Sequence, residues 1–288
     1  MTGGSHALAA EARKAADAVA ARAGLRLVEL TDVPAQSAAA ALLGRIWKAG
    51  AVSQPIDVAL LRALEFVGGY VAGAYRGAEL VGAAVAFFAA DGHLHSHVVG
   101  VAPEHHDRAV GSALKLHQRA WALARGVTVV SWTFDPLVRR NAFFNITKLG
   151  AVPAAYLVDF YGEMSDAINA GAGSDRLLVE WRLDGARAVE AAAGRRCGPD
   201  ADRLRATARV RLGRSPTGAP VVPGGSLPDG SVWLVAVPED VEALRRSDPA
   251  LAARWRAAVR EALQEGMADG RRVTGATRGG WYVLEADS

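Results

Sequence analysis

The sequence predicts a mixed α/β (α+β) chain: a mainly antiparallel sheet flanked by helices in the first part, then a smaller C-terminal α/β unit. Two observations carry this. Three β-rich runs within residues 70–101 are joined by short turns, the pattern of adjacent antiparallel strands. Periodic helical segments precede and follow them, and 288 residues with 51% hydrophobic and 22% charged content can bury the core of one large or two modest domains.

The Ala-rich opening reads as an amphipathic helix, because Glu11, Arg13, Lys14, Asp17 and Arg22 interrupt any signal-peptide core. Leu25–Leu30 alternates like a half-buried strand. Thr31 and Asp32 then offer caps for a helix containing Ala38–Trp47, and Asp57–Phe66 is a further helix that Gly68 and Gly69 end. Tyr70–Tyr75, Leu80–Phe88 and His93–Val101 are the three strands, with turns at Arg76–Glu79 and Asp91-Gly92. From Ala109 to Arg125 the apolar residues Val110, Ala113, Leu114, Leu116, Ala120, Trp121 and Leu123 keep helical spacing, and Gly126 supplies the stop. Val127–Thr133 is a short apolar strand, Asp135-Pro136 starts a helix through Leu149, and Ala155–Tyr161 is another strand.

The small, polar run Asn169–Asp175 is the best linker candidate and sets expected domains at 1–168 and 176–288. The tail then shows a strand at Leu177–Leu183, a poorly patterned stretch from Gly185 to Asp229, and a strand at Val232–Val237. Helices over Pro238–Arg246 and Pro249–Ala268 and a last strand at Trp281–Glu285 complete it.

Among the 33 basic residues only Lys14, Lys48, Lys115 and Lys148 are lysines, which lifts the pI to 9.2 at a formal charge of +3. The arginines interleave with acids, so no nucleic-acid-binding stripe is formed. The single Cys197 excludes an intramolecular disulfide and a cysteine metal cluster and fits a reducing compartment. No apolar run approaches the roughly 20 residues that cross a bilayer. A soluble, cytoplasmic protein with neither a nucleic-acid nor a membrane partner is expected.

Candidate chemistry gathers where the strand ending Val99–Pro103 passes through a polar loop to Gly111 and a long helix. The first-turn N–H groups of such a helix lack internal partners and its dipole favours an anion. His93, His95 and His97 alternate along one strand and share a face. A solvated polar face and a histidine zinc site are both open readings of that spacing. Asp135 reads either as a partner for a substrate ammonium or as an ordinary helix start. Asn141 and Asn145, four apart, share a helical face. Arg139 and Arg140 suit a phosphate or a carboxylate through bidentate hydrogen bonds, or a plain surface face. Alternation places Asp159 and Tyr161 together, whereas Tyr156, Trp181, Trp255 and Trp281 read as packing residues. Nothing around Cys197 argues for a reactive thiol.

The order of elements and the run Val101-Ala-Pro-Glu-His-His-Asp-Arg-Ala-Val-Gly-Ser-Ala-Leu114 resemble the GNAT superfamily of CoA-dependent N-acyltransferases over about residues 25–164. The motif of that family runs strand, Val-x-Pro, Arg/Gln-x-x-Gly-x-Gly/Ala, helix. His106 stands here for Arg/Gln, Ala109 for the first glycine, where a negative φ would accommodate it, and Gly111 for the second. Lys148-Leu-Gly150 matches the end of the family's penultimate helix, but Ile146 replaces the tyrosine that protonates the departing thiolate. The text from Trp132 to Gly150, with Tyr156, Phe160–Gly162 and Asp248–Arg256, is similar to a branch of predicted acyltransferases with a C-terminal extension.

The resemblance implies acyl-CoA, as acetyl-CoA or succinyl-CoA, as co-substrate and no metal. Val99, Gly100 and Val101 would pair with pantetheine amides. Arg108, Ala109, Val110, Gly111, Ser112 and Ala113 would hold pyrophosphate, and Asn141 and Asn145 would face the thioester and pantetheine. His97 and His95 occupy the positions of a histidine pair in the aralkylamine N-acetyltransferases, which implies a general base. Tyr161 would stand in for the absent phenol, and Asp135, Arg139 and Asp159 would contact substrate. The expected reaction is direct transfer of an acetyl or succinyl-type group to a primary amine, a small amine or amino acid. The alternative is a catalytically silent, GNAT-shaped CoA-binding or regulatory protein. The tail is open to roles as a homodimer interface or as a cover for the acceptor pocket.

Overall fold

The computed structural model describes residues 2–47, 56–106, 108–162, 173–198, 204, 208–224 and 230–286. In chain order the elements begin with α1 (Thr2–Arg22), β1 (Arg26–Glu29), α2 (Val33–Trp47), α3 (Val58–Phe66), β2 (Tyr70–Arg76), β3 (Glu79–Phe88) and β4 (Leu94–Val101). A short 3-10 turn (Pro103–His105) leads to α4 (Val110–Ala124), β5 (Val129–Phe134), α5 (Arg139–Ala142), a π-helical turn (Phe143–Lys148), β6 (Val152–Leu157) and β7 (Arg176–Arg182). The chain continues with α6 (Ala186–Ala192), β8 (Arg209–Arg214), β9 (Pro220–Val221), β10 (Trp233–Ala236), α7 (Val241–Ser247), α8 (Pro249–Ala268), β11 (Arg271–Ala276) and β12 (Trp281–Ala286).

Two compact units result. The first holds the described residues up to Trp132 together with Arg182–Ala193, and the second holds the other described residues from Thr133 onward.

In the first unit β1 to β4 are antiparallel neighbours in chain order and β5 lies parallel beside β4. Asp32 and Asp57 cap the helices that follow them, accepting hydrogen bonds from Ala35 N at 2.8 Å and Leu60 N at 2.7 Å. Leu42, Leu43 and Leu61 of α2 and α3 pack against Val85 and Val98 on one face of the sheet. Helix α4 covers the opposite face so closely that a side chain at Gly82 would press on Val110 at 2.8 Å. Gly77 and Gly92 take the left-handed backbone of the two hairpin turns, the second being the Asp91-Gly92 turn read from sequence.

In the second unit β6 and β7 pair antiparallel, and a five-stranded sheet has the order β11-β12-β10-β8-β9. Helix α8 packs on that sheet through Gly266, which lies directly against Leu284 and Trp233. Trp181 and Trp255 are fully buried, as expected of packing residues.

Several boundaries move. Residues 169–172 of the linker expected at 169–175 lie outside the described residues, and β6 before that stretch and β7 after it share one ladder, Val152 opposite Glu180 through Leu157 opposite Arg176. The division falls inside β5 instead. The helix expected from Asp135 begins at Arg139, since the Asp135 carboxylate accepts from Leu137 N at 2.9 Å and closes a turn first. The strand expected to reach Tyr161 ends at Leu157. The poorly patterned stretch contains α6, β8 and β9, and β11 has no counterpart in the expected elements. Among the described residues, no helix is long and apolar enough to cross a membrane.

Candidate active site

Strand β4 departs from regular pairing on both of its edges. Opposite β3 the register slips between Val85/Val98 and Ala86/Ser96, leaving His97 as the extra residue of a β-bulge. Opposite β5 the parallel ladder holds only Leu94 to Val130 and His95 to Ser131, although β4 runs on to Val101. Past His95 the two parallel strands are no longer laddered, and the backbone of Val99, Gly100 and Val101 lies on that unladdered stretch. Gly100 is required there, because a side chain would meet Leu43 at 2.6 Å and Ile46 at 2.9 Å.

At the mouth of this opening the strand sequence gathers imidazoles. His95 and His97 both lie beside the Phe87 ring, at 5.5 and 5.8 Å between centroids. Ser131 Oγ is 3.0 Å from His95 Nδ1 and 2.8 Å from His93 Nε2, and His93 Nδ1 in turn meets the Asp91 carboxylate. Burial, then the neighbouring His97, His93 and Lys115, lower the His95 pKa to about 4, so its ring is neutral near pH 7. Lys115 reaches the other face of β4 from α4. It donates to Ser96 Oγ at 2.9 Å and Gln118 Oε1 at 3.1 Å and sits 3.7 Å over the Trp132 ring. Burial holds its ammonium well below the ordinary lysine value.

Beyond β4, the 3-10 turn and α4 present Arg108 and the first-turn amides of Val110, Gly111, Ser112 and Ala113. The Ala113 amide is already bonded to Ala109 O at 2.9 Å. Ala109 adopts φ +60°, the left-handed region, so the negative φ expected for it is not found. The backbone demands what a glycine supplies freely, and the alanine is strained. His106 donates from Nε2 to Val101 O at 3.1 Å, and His105 is buried with its Nε2 3.6 Å from the Glu79 carboxylate. Glu79, Glu104 and His105 bring one ligand atom each within 4.8 Å of one another, the grouping among the described residues that could hold a cation. His93, His95 and His97 do not form such a group.

The other expected site residues lie in the second unit. Asp135 is buried between Arg245 and Arg256, whose Nη2 is 2.8 Å away. Burial alone would raise its pKa, but the two guanidinium groups outweigh that and hold it below the ordinary carboxylate value. Its charge is therefore already matched within the protein, and a role toward a substrate ammonium is not what this environment prepares. Arg139 and Arg140 are both exposed, and Arg140 is bidentate to Glu242 at 2.6 and 2.8 Å.

Asn145 is buried and Asn141 half-buried. The wide π turn between them changes the residue-per-turn count on which a shared face rested. Ile146 is fully buried. Asp159 and Tyr161 do not alternate along a strand. They stand in a turn in which Asp159 has φ +44° and accepts from Gly162 N at 3.0 Å. Tyr161 is exposed, with its hydroxyl 3.4 Å from Thr133 Oγ1. Tyr156 donates to Asp175 Oδ2 at 2.7 Å, and Asp175 also binds Arg260.

Ser131, Asp91, Lys115 and the Asp135 arginines carry no local sequence signal. A serine in an apolar strand and an arginine 110 residues from its aspartate become meaningful only through long-range register.

Residues 51–150 match the model of the acetyltransferase (GNAT) family. No curated protein matches the chain. Solved structures similar to it include an N-acetyltransferase from Staphylococcus aureus Mu50, with 12% identity, 56% of this chain and 99% of that chain covered, and a TM-score of 0.47. The ribosomal-protein-S18-alanine N-acetyltransferase from Escherichia coli gives 13% identity, coverage of 56% and 96%, and a TM-score of 0.45. A GNAT family acetyltransferase from Elizabethkingia anophelis with acetyl-CoA bound gives 14% identity, coverage of 55% and 98%, and a TM-score of 0.43.

Proposed function

We propose that this chain, which carries a GNAT acetyltransferase domain over residues 51–150, transfers an acyl group from acyl-CoA directly to a small primary amine with His95 as the general base. The observation that carries this reading is the end of the β4/β5 ladder at His95, where the β5-facing edge of β4 loses its partner strand beside a neutral imidazole. Pantetheine would bond the backbone of Val99, Gly100 and Val101, and pyrophosphate would meet Arg108 and the start of α4. The family match and this geometry support acyl-CoA as the co-substrate.

The amine must lose a proton before it attacks the thioester carbonyl. His95, or His97 beside it, takes that proton. The new C–N bond forms, the C–S bond breaks, and the CoA thiolate needs a proton in return. With Ile146 at the family's tyrosine position, the exposed Tyr161 hydroxyl is the candidate donor. Arg139 is the candidate for a second carboxylate, which would favour a succinyl-type donor or an amino-acid acceptor. A single cysteine suits action in a reducing cytoplasm.

Calorimetry with acetyl-CoA and succinyl-CoA, followed by free-thiol release against pooled amines and amino acids, tests the reading. Amine-dependent release that falls at least tenfold in His95→Gln, with thioester affinity kept, is the expected result. Saturable thioester binding with no release for any amine would instead support a silent CoA-binding protein, the reading that Ile146 and the strained Ala109 favour.

A further inference from the structure

With Asp91 ionised, as it is near neutral pH, and both imidazoles neutral, the three hydrogen bonds around Ser131 have one consistent arrangement of protons. A carboxylate only accepts, so His93 must donate to it from Nδ1. A neutral His93 then carries no proton on Nε2, and that nitrogen accepts the Ser131 hydroxyl proton at 2.8 Å. The Ser131 oxygen, its own proton committed, accepts at 3.0 Å from His95 Nδ1. A neutral His95 with its proton on Nδ1 has a bare lone pair on Nε2. Free imidazole side chains favour the opposite tautomer, so the chain reverses an intrinsic preference. Ser131 is 4% exposed and makes this contact from within the ladder, while Asp91 lies open to solvent at the hairpin turn.

Building on the amine-transfer reading, we propose that Asp91, His93 and Ser131 are positioning residues that fix His95 as an Nε2 proton acceptor and conduct the abstracted proton to the surface. The amine proton bonds to His95 Nε2. The Nδ1 proton passes to Ser131 Oγ, the Ser131 proton passes to His93 Nε2, and the positive charge arrives on His93 beside the Asp91 carboxylate, from which water removes it. No bond to oxygen other than O–H changes and Ser131 is never acylated. The path also relieves a conflict at His95, where a retained positive charge would face His93 and His97 on its own strand and Lys115 from α4. The charge comes to rest next to the only acid in the chain of contacts.

Two measurements decide it. Long-range 1H–15N spectra of the protein without substrates report each imidazole tautomer directly. His95 is expected as Nδ1–H in the wild type and as Nε2–H in Ser131→Ala, with Ser131→Thr retaining the wild-type form. An Nε2–H His95 in the wild type would overturn the proposal without reference to activity. In the thiol-release assay, kcat is expected to fall at least tenfold in Ser131→Ala and in Asp91→Asn, with KM for the thioester unchanged and the acid limb of the pH profile moved. Asp91→Asn changes only an exposed turn residue and guards against a variant that fails to fold. Unchanged kcat and pH profile in both variants, with a functioning wild type, would overturn the relay alone. Acylated Ser131 in intact-mass spectra would replace it with a covalent route. A wild type inactive toward every amine would remove the relay together with the transfer reading, and the spectra would still decide the tautomer.

Discussion

Asp135 is held between Arg245 and Arg256 in surroundings where a lone charge is costly, so Asp135→Ala strands both guanidinium groups. The loss expected is about 3–5 kcal/mol, the usual cost of breaking a buried pair by removing one partner, read as a lower urea midpoint. Its folded pKa is lowered, so its stabilisation is complete above the unfolded value of about 3.9 and disappears as pH falls through the lower folded value. His95 acts in a different window. The unfolded chain takes up its proton as pH falls through about 6.5, while the folded ring resists until about 4, so stability declines across that interval and levels off below it. Thermal melts at stepped pH should show a shallower decline in His95→Gln than in the wild type. The residual slope belongs partly to His117, whose pKa burial also lowers. The histidine spacing was legible because strand alternation is local. Ser131, 36 residues from His95, was not, because only the parallel register of β4 and β5 brings it there.

Helix α4 was read correctly from its apolar period, and the one point of strain lies at its start. Ala109 occupies a left-handed backbone that costs a residue with a Cβ about 1–2 kcal/mol. Ala109→Gly is expected to raise stability by about 1 kcal/mol after the entropy of glycine is discounted, and to raise Tm by about 2–4 °C. A lower Tm would show that the loop holds a different conformation. The helix over 139–148 was misread at its start and in its winding, while its end at Leu149 before Gly150 was read correctly. Asp135-Pro136 carries the residues of a helix start, yet the Asp135 carboxylate is used for a turn and for two arginines. The π turn at Phe143–Lys148 carries no sequence mark, being closed by Leu149 N to Phe144 O at 2.9 Å and anchored by Thr147 Oγ1 to Ala276 O at 2.6 Å.

At the scale of the whole molecule, composition suggested a cut near 170 and pairing refuses it. Residues 133–162 take their strand partner from Arg176–Arg182, their buried counter-charges from α7 and α8, and a carbonyl partner from β11. A chain ending at residue 170 is therefore expected to lose cooperative unfolding and to bind a hydrophobic dye at room temperature. A sharp thermal transition for that fragment would show that the first part folds alone. The sequence hid this because linker composition reports local softness, whereas the ownership of a segment depends on who pairs with it. The same connectivity orders events in time. Asp135 leaves the ribosome 110 and 121 residues before the two arginines that neutralise it. At about 5–20 residues per second that delay is on the order of 5–25 s. Throughout it the nascent second unit holds an apolar strand and an unmatched carboxylate without their partners, and it is this interval, more than the finished fold, in which a chaperone would have work to do.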